Sequence, residues 1–274
     1  MGLTRIATVA AHFGRDLHFG LGRIATLIGD ARRAGAALLV LPDGALGGCL
    51  ADFHQPDPDD LPPALDPDDP RIRKVAALAS EMVVCLGYCE SGEDGERYTA
   101  AVCVSGDGVL GRHRKVHLSP VEAALHTAGE GFSAFDTPVG RLGMMTDYDK
   151  TFPESGRGLA ADGAEVVACL SSWATSSRSP SPVRDRQSRL FDFYDCVRAA
   201  ENQVVFVSAN QAGVMNGTRF LGQAKVVDPG GDIRAKTGTT PALVVAELDL
   251  KAEIAGARRV RHHLGERRLL SCPA

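Results

Sequence analysis

The sequence predicts a layered α/β sandwich. Three observations carry that prediction. β-prone apolar runs recur along the chain, helical segments separate some of them, and hairpin-like strands cluster at residues 98–118 and 219–248. Several of the apolar runs are nearly continuous rather than alternating, which suits strands covered by helices on at least one face.

Ile6–Ala10 reads as the first strand. Gly20–Ala34 carries Leu21, Ile24, Leu27 and Ile28 at helical spacing, and Ala37–Leu41 is the next strand. The acidic, Pro-rich stretch Gln55–Pro70 lies between a strand and a helix, so it reads as a surface loop rather than a linker. The helix is Asp69–Ser80. Strands follow at Met82–Tyr88, Ala100–Val104 and Leu142–Met145. Pro153–Ala161 begins with Pro at a first-turn position, a helix start. After the strand Glu165–Leu170 comes a long polar loop, Ser171–Arg186, of the kind that carries function in compact α/β domains. Val183–Asn202 places Leu190, Phe193, Val197 and Ala200 on one stripe, the face a helix turns to a core. Val204–Ala209, Ala224–Val227 and Ala242–Leu248 complete the strands. No internal repeat and no interdomain linker is visible, so residues 1–274 are expected to form one domain.

The formal charge of -4 argues against nucleic acid as a partner, and the Arg runs at Arg112–Arg114 and Arg258–Arg261 are local. No stretch approaches the roughly 20 apolar residues of a membrane span. The start "MGLTRIATVAA" runs directly into a strand without a signal-peptide pattern, and Ile6 stands where a myristoylation motif wants Ser or Thr. The seven Cys, at 49, 85, 89, 103, 169, 196 and 272, are scattered singly. They form no CxxC pair, so the expectation is reduced thiols in a cytoplasm, with no metal and no cofactor.

Three strand ends concentrate chemistry. "LLVLPDGALGG" closes an apolar run on Pro42-Asp43. "GRHRKVHLSPVE" carries Lys115 and then Glu122. "GMMTDYDKTFPE" closes another apolar run on Asp147. α/β proteins build ligand sites where strands give way to loops. An unpaired charge at the end of a buried strand is expensive, so Asp147 in particular demands a partner.

Five segments, in order, resemble the nitrilase superfamily of carbon-nitrogen hydrolases. "LVLPDGALGG" is similar to its strand ending in Pro-Glu. Residues 87–118 resemble its hairpin leading to a Tyr-Arg-Lys-x-His-Leu segment. Residues 135–173 resemble the strand, elbow, helix and strand that carry its nucleophile. "RAAENQVVFVSANQAG" resembles its Ala-x-Glu-Asn run, and "RRVRHHLGERR" its Arg-rich C-terminal segment. The resemblance implies a four-layer αββα sandwich. It also implies a site in which a Glu is general base, a Lys stabilises the oxyanion and a Cys attacks an amide or nitrile carbon.

Carried over residue by residue, Lys115 matches the Lys and Glu122 a second Glu that orients it. Tyr148 matches the residue whose backbone N–H contributes to the oxyanion hole. Asp43 takes the Glu position and Asp147 the Cys position. Trp173 is a candidate for substrate contact. Glu201 and Asn202 read as a structural pair, and His113 and His117 as packing and hydrogen-bonding residues. Cys49 and Cys169 read as packing thiols rather than substitute nucleophiles.

The two Asp departures bear on chemistry. A carboxylate attacking an amide would give a mixed anhydride and would usually be expelled again. Asp43 is one methylene shorter than Glu, and errors of about an ångström in a catalytic constellation cost about a hundredfold. The expectation is a Lys115–Asp147 ion pair filling the site, with one carboxyl of the pocket holding its proton. Two readings follow. In the first, the chain has lost thiol-dependent hydrolysis and serves as a binding or partner subunit for a small amide- or nitrile-like ligand. In the second, it is a divergent enzyme using Asp147, Lys115 and Asp43 without a thiol. A homo-oligomer, or a hetero-oligomer with an active paralogue, is implied in either case.

Overall fold

The computed structural model describes residues 2–50, 59–176 and 181–268. In chain order its elements begin with β1 (Thr4–Ala11), α1 (Leu17–Arg33), β2 (Leu38–Val40), β3 (Ala64–Leu65), α2 (Pro70–Ala79) and β4 (Val83–Ser91). The hairpin β5 (Arg97–Ser105) and β6 (Gly108–Arg114) follows, then α3 (Pro120–Ala123), β7 (Ala134–Thr137) and β8 (Gly140–Thr146). Next come α4 (Pro153–Ala161), β9 (Val166–Ser171), α5 (Arg186–Asn202), β10 (Val205–Met215), β11 (Thr218–Leu221) and β12 (Lys225–Val227). The chain closes with β13 (Ile233–Lys236), β14 (Ala242–Leu248), α6 (Leu250–Val260) and α7 (His263–Glu266).

The strands join in the order β6-β5-β4-β2-β1-β10-β9-β8-β7, with β14 antiparallel along β1. The pairs β4–β2, β2–β1, β1–β10, β10–β9 and β9–β8 are all parallel. Alternation along each strand then sorts the side chains into layers. Ile6, Leu38, Val40, Val83 and Cys85 meet Leu142, Met144, Val166, Ala168 and Val207 between the two halves of the sheet. Ala7, Val9, Leu39, Val84 and Val102 point outward and pack under α1 and α2, through Ile24, Ile28, Ile72 and Val75. On the other outer face Met145, Val167, Cys169 and Phe206 pack under α4 and α5, through Leu159 and Ala199. The result is a mixed α/β sandwich, a nearly closed sheet between helices in the order αββα.

Capping residues set most helix starts. Asp16, Asp69, Asp185 and Asp249 each accept a backbone N–H from the first turn of α1, α2, α5 and α6. Two sequence readings need correction. The stripe Leu190, Phe193, Val197 and Ala200 does not face the core, for Phe193 is 63% and Val197 48% exposed. The buried face of α5 instead carries Asp195, Arg198 and Asn202 beside Phe191 and Ala199. A face built on ion pairs leaves no trace in apolar periodicity. The stretch Gln55–Pro70 is also not loop throughout, since Ala64–Leu65 pairs with Cys89 and Glu90 of β4. Residues 55–58 of that stretch, residues 177–180 of the second long loop, and Cys272 lie outside the described residues. Among the described residues no helix is long and apolar enough to cross a membrane.

Candidate active site

The parallel strands β2, β8, β9 and β10 end on one side of the sandwich, and each delivers a polar group there. Asp43 follows β2. Its backbone is pressed against β4 at Gly87, where a Cβ would come within 2.6 Å of the Asp43 Cα. Only glycine permits that approach. Gln211, midway along β10, donates its Nε2 to the Asp43 carbonyl at 2.9 Å and so fixes the loop from the other side.

Lys115 follows β6, held by its N–H to the Thr99 carbonyl at 2.8 Å. Glu122 is fixed by a capping box at the start of α3. Ser119 Oγ accepts the Glu122 N–H, and Glu122 Oε2 accepts the Ser119 N–H at 2.9 Å. The other carboxylate oxygen of Glu122 receives Lys115 Nζ.

Asp147 sits on the elbow after β8. Its Oδ1 accepts Lys115 Nζ at 3.0 Å and the Tyr148 N–H at 2.7 Å. Its Oδ2 accepts the Ser172 N–H at 3.0 Å, and the Ser172 hydroxyl lies 3.2 Å away. The same hydroxyl is 3.1 Å from Asp43 Oδ2. The structure therefore brings together Asp43, Lys115, Glu122, Asp147 and the Tyr148 backbone, all with side chains or N–H groups in one buried cluster. The expected Lys115–Asp147 ion pair is present.

The cluster's electrostatics follow from burial and pairing. Burial pushes the Asp43 carboxyl up to about 7, with the Asp147 charge adding to it and Lys115 opposing it. Burial would raise Asp147 too, but Lys115 and the N–H groups of Ser172 and Tyr148 outweigh it and hold Asp147 below the ordinary carboxylate range. Burial disfavours the Lys115 ammonium, yet Asp147 and Glu122 more than compensate and keep it charged.

Two other sequence candidates fall elsewhere. Trp173 does not line the recess above the cluster. Its indole N–H goes to Gln187 at 3.0 Å and its ring packs against Phe191 and Tyr194. Cys169 is buried under α4 and α5, and its thiol is pushed up to about 12 by burial. Cys49, in contrast, lines the recess, beside Asp43, Cys89, Glu122 and Ser172. Burial, with the Asp43 charge behind it, raises this thiol far above its ordinary range, so it stays protonated.

Ser172 and Asp149 were not among the sequence candidates. Ser172 follows β9 as Asp147 follows β8, a polar residue closing an apolar run, and that pattern was the available signal. Asp149 is fully buried. It accepts the Thr146 hydroxyl at 3.0 Å and the His117 N–H at 2.8 Å, and lies within 3.2 Å of ring nitrogens of His113 and His117. Burial pushes its carboxyl up, but His113 and the His117 N–H outweigh that and hold it at about 2. Asp149 thus ties the elbow carrying Asp147 to the segment carrying Lys115. Glu201 and Asn202 lie on α5 and bond to Arg198, a structural arrangement. Among the described residues no group of three or more His, Cys, Asp or Glu side chains is arranged to hold a metal ion.

The αββα sandwich, a nearly closed sheet between helices, is the nitrilase-type fold of its structural neighbours. The carbon-nitrogen hydrolase from Helicobacter pylori G27 superposes with a TM-score of 0.86, at 23% identity, covering 97% of this chain and 96% of that one. A mutant of the amidase from Nesterenkonia sp. AN1, with acrylamide added at its active site cysteine, superposes with a TM-score of 0.73 at 24% identity, covering 96% and 99%. The family model for carbon-nitrogen hydrolases matches residues 5–258. An (R)-stereoselective amidase from Pseudomonas sp. is 31% identical over 91% of this chain and 84% of its own length. A nitrilase from Pyrococcus abyssi is 29% identical over 82% and 81%. The chain belongs to the carbon-nitrogen hydrolase family, within the nitrilase superfamily, and is amidase-like.

Proposed function

We propose that this chain binds a small ligand in an amidase-type pocket without performing thiol-dependent hydrolysis. One observation carries the reading. The Asp147 carboxylate already occupies Lys115 Nζ and the Tyr148 N–H. Those are the donors that the family resemblance assigns to a developing oxyanion, and donors aimed at such an oxygen are usually the largest catalytic term. A carboxylate fixed there acts as a built-in anion where the resemblance places the nucleophilic thiol. Asp43, in the position of the family's base, has no proton to collect from it.

A second reading keeps an acid/base role. Asp43 and Asp147 share one serine hydroxyl, and their proton affinities are pushed apart, the pattern that marks acid and base assignments. It ranks lower because both Asp147 oxygens are engaged by other groups.

Association with a second copy, or with an active paralogue, is part of the same proposal. The support is the apolar face of α5, where Phe193 and Val197 are exposed.

The purified chain is expected to leave a panel of simple amides, nitriles and carbamoyl compounds intact by mass spectrometry. Asp147→Cys combined with Asp43→Glu is expected to release measurable ammonia from the amides. Robust turnover by the unaltered chain, abolished by Asp147→Asn, would favour the second reading. A purely monomeric mass in the same preparation would remove the oligomer.

A further inference from the structure

Two cysteines stand opposite each other in the sheet. Cys85 on β4 and Cys103 on β5 are register partners across the antiparallel ladder. Both are fully buried free thiols. The other strand cysteines meet no thiol in register: Cys89 stands opposite Thr99, and Cys169 between Met145 and Ser208. Directly opposed residues of an antiparallel pair have Cα atoms about 4.5–5.5 Å apart, inside the span of about 4.4–6.8 Å that a disulfide bridges. Both side chains point into the layer between the two halves of the sheet. There the Cys103 thiol is within hydrogen-bond reach of Cys85, and that contact, with burial behind it, raises the Cys103 thiol far above its ordinary range.

The pair belongs to the hairpin that supports the candidate site. The Cys85 carbonyl accepts the Leu41 N–H at 2.9 Å, and Gly87 donates its N–H to the Pro42 carbonyl at 3.3 Å, so β4 holds the strand exit that leads to Asp43. Four residues along the same face, Cys89 and Thr99 are again register partners, and both line the recess.

The hairpin also has a place to open. β5 is flanked by β6, the end strand of the sheet. The β5–β6 ladder slips register between Cys103 and Val104, leaving Leu110 of β6 over. A bulge of this kind disrupts the ladder locally, and an end strand has the fewest bonds to lose on local opening.

We propose that Cys85 and Cys103 are a reversible redox pair, which a low-molecular-weight disulfide oxidises to a cross-strand disulfide that locks β4 to β5 on the hairpin lining the recess. The pair is independent of what the candidate site binds. On opening, one cysteine loses its proton to solvent, and its thiolate attacks a sulfur of the small disulfide. That S–S bond breaks, the departing thiolate takes up a proton, and a mixed disulfide stays on the protein. The second cysteine, deprotonated in turn, attacks the protein sulfur of the mixed disulfide and displaces the other small thiolate, which is protonated. The net reaction removes two electrons and two protons from the protein thiols and reduces one small disulfide to two thiols. Both sulfurs are fully buried when the hairpin is closed, so opening sets the rate.

The full-length chain incubated overnight with excess oxidised glutathione, in buffer and in urea below the onset of unfolding, provides the test. Remaining thiols are alkylated and tryptic peptides are mapped by mass spectrometry. Cleavage at Lys74, Arg97 and Arg112 places the two cysteines on separate peptides, 75–97 and 98–112. The expected product is those peptides joined and lighter by two hydrogens, with Cys89 alkylated. It is expected to form faster in urea. The bond is expected to raise the melting temperature by about 5–10 °C, a rise reversed by dithiothreitol. Cys103→Ser is expected to lose both the crosslink and the rise. Both cysteines still alkylated after oxidant and urea, a bond from either to another cysteine, or a crosslink without a rise in melting temperature overturns the proposal. The mapping uses the unaltered chain, so it stands even if the variant does not fold.

Discussion

Asp43 and Asp147 are joined through a single hydroxyl: Ser172 Oγ lies 3.1 Å from one carboxylate and 3.2 Å from the other. A hydroxyl has one proton to give. If it serves Asp147, then Asp43 completes the chain only by holding a proton of its own and donating to Ser172. Burial, with the Asp147 charge behind it, is what raises the proton affinity of Asp43, and the shared hydroxyl only partly offsets it.

That arrangement has a pH signature in stability. Asp43 holds its proton more tightly folded, near 7, than at its ordinary value of 3.8. A raised acid of this kind contributes stability that is full below 3.8 and is lost as pH rises through 7. Asn at this position never carries the charge. Relative to the unaltered chain, Asp43→Asn is expected to gain stability progressively between about pH 4 and pH 8, by at most about 4 kcal/mol. Thermal melts of both proteins across that range measure it. A stability difference that stays flat with pH would sink the account.

Lys115 answers for two buried carboxylates at once. Replacing it by Met leaves Asp147 and Glu122 without their ammonium. Removing one partner of a buried ion pair costs about 3–5 kcal/mol. Lys115→Met is therefore expected to lower the unfolding free energy by about that amount at pH 7, read from denaturant midpoints. The loss is expected to shrink on acidification. Asp147 is held below the ordinary range in the paired state, so its contribution is present above the ordinary pKa and disappears as pH falls through the lowered value. A variant as stable as the parent at pH 7 would show that the pair is incidental.

The β-strand frame was legible because its apolar runs are long and continuous. Ile6–Ala10 falls within β1, and Met82–Tyr88 and Glu165–Leu170 lie in β4 and β9 except for their first residues. Pro153–Ala161 coincides with α4, marked by its leading proline. The ends of strands were less legible. β10 runs on to Met215, through Asn210 and Gln211, whose polar side chains hide a strand while bonding Trp173 and Asp43. Lys115, Glu122 and Asp147 could be read from local motifs. Ser172 offered only the signal of a polar residue closing an apolar run, and Asp149 offered none, because their importance lies in contacts made in the folded chain. Asp149 reaches His113 from 36 residues away.

The same limit hid the ion network under α5. Asp195 is fully buried and receives Lys150 Nζ at 2.7 Å and Lys225 Nζ at 2.5 Å. Both ammoniums also lie over the Phe191 ring, at 3.3 and 3.8 Å from its centre. One carboxylate thus serves two lysines from the 3-10 turn after β8 and from β12. Removing it strands the buried Lys150 ammonium and leaves Lys225 only the Asp192 carboxylate at 3.3 Å, whereas replacing all three side chains removes the need for that pairing. Asp195→Asn is expected to destabilise the chain by about 3–5 kcal/mol or more. The triple replacement Lys150→Leu, Asp195→Leu, Lys225→Met is expected to be near neutral or stabilising, since apolar isosteres of buried ion clusters often are. Unfolding midpoints of the two variants beside the parent decide it. If the single variant melts with the parent, or the triple variant falls well below the single one, the network is not held by mutual charge compensation.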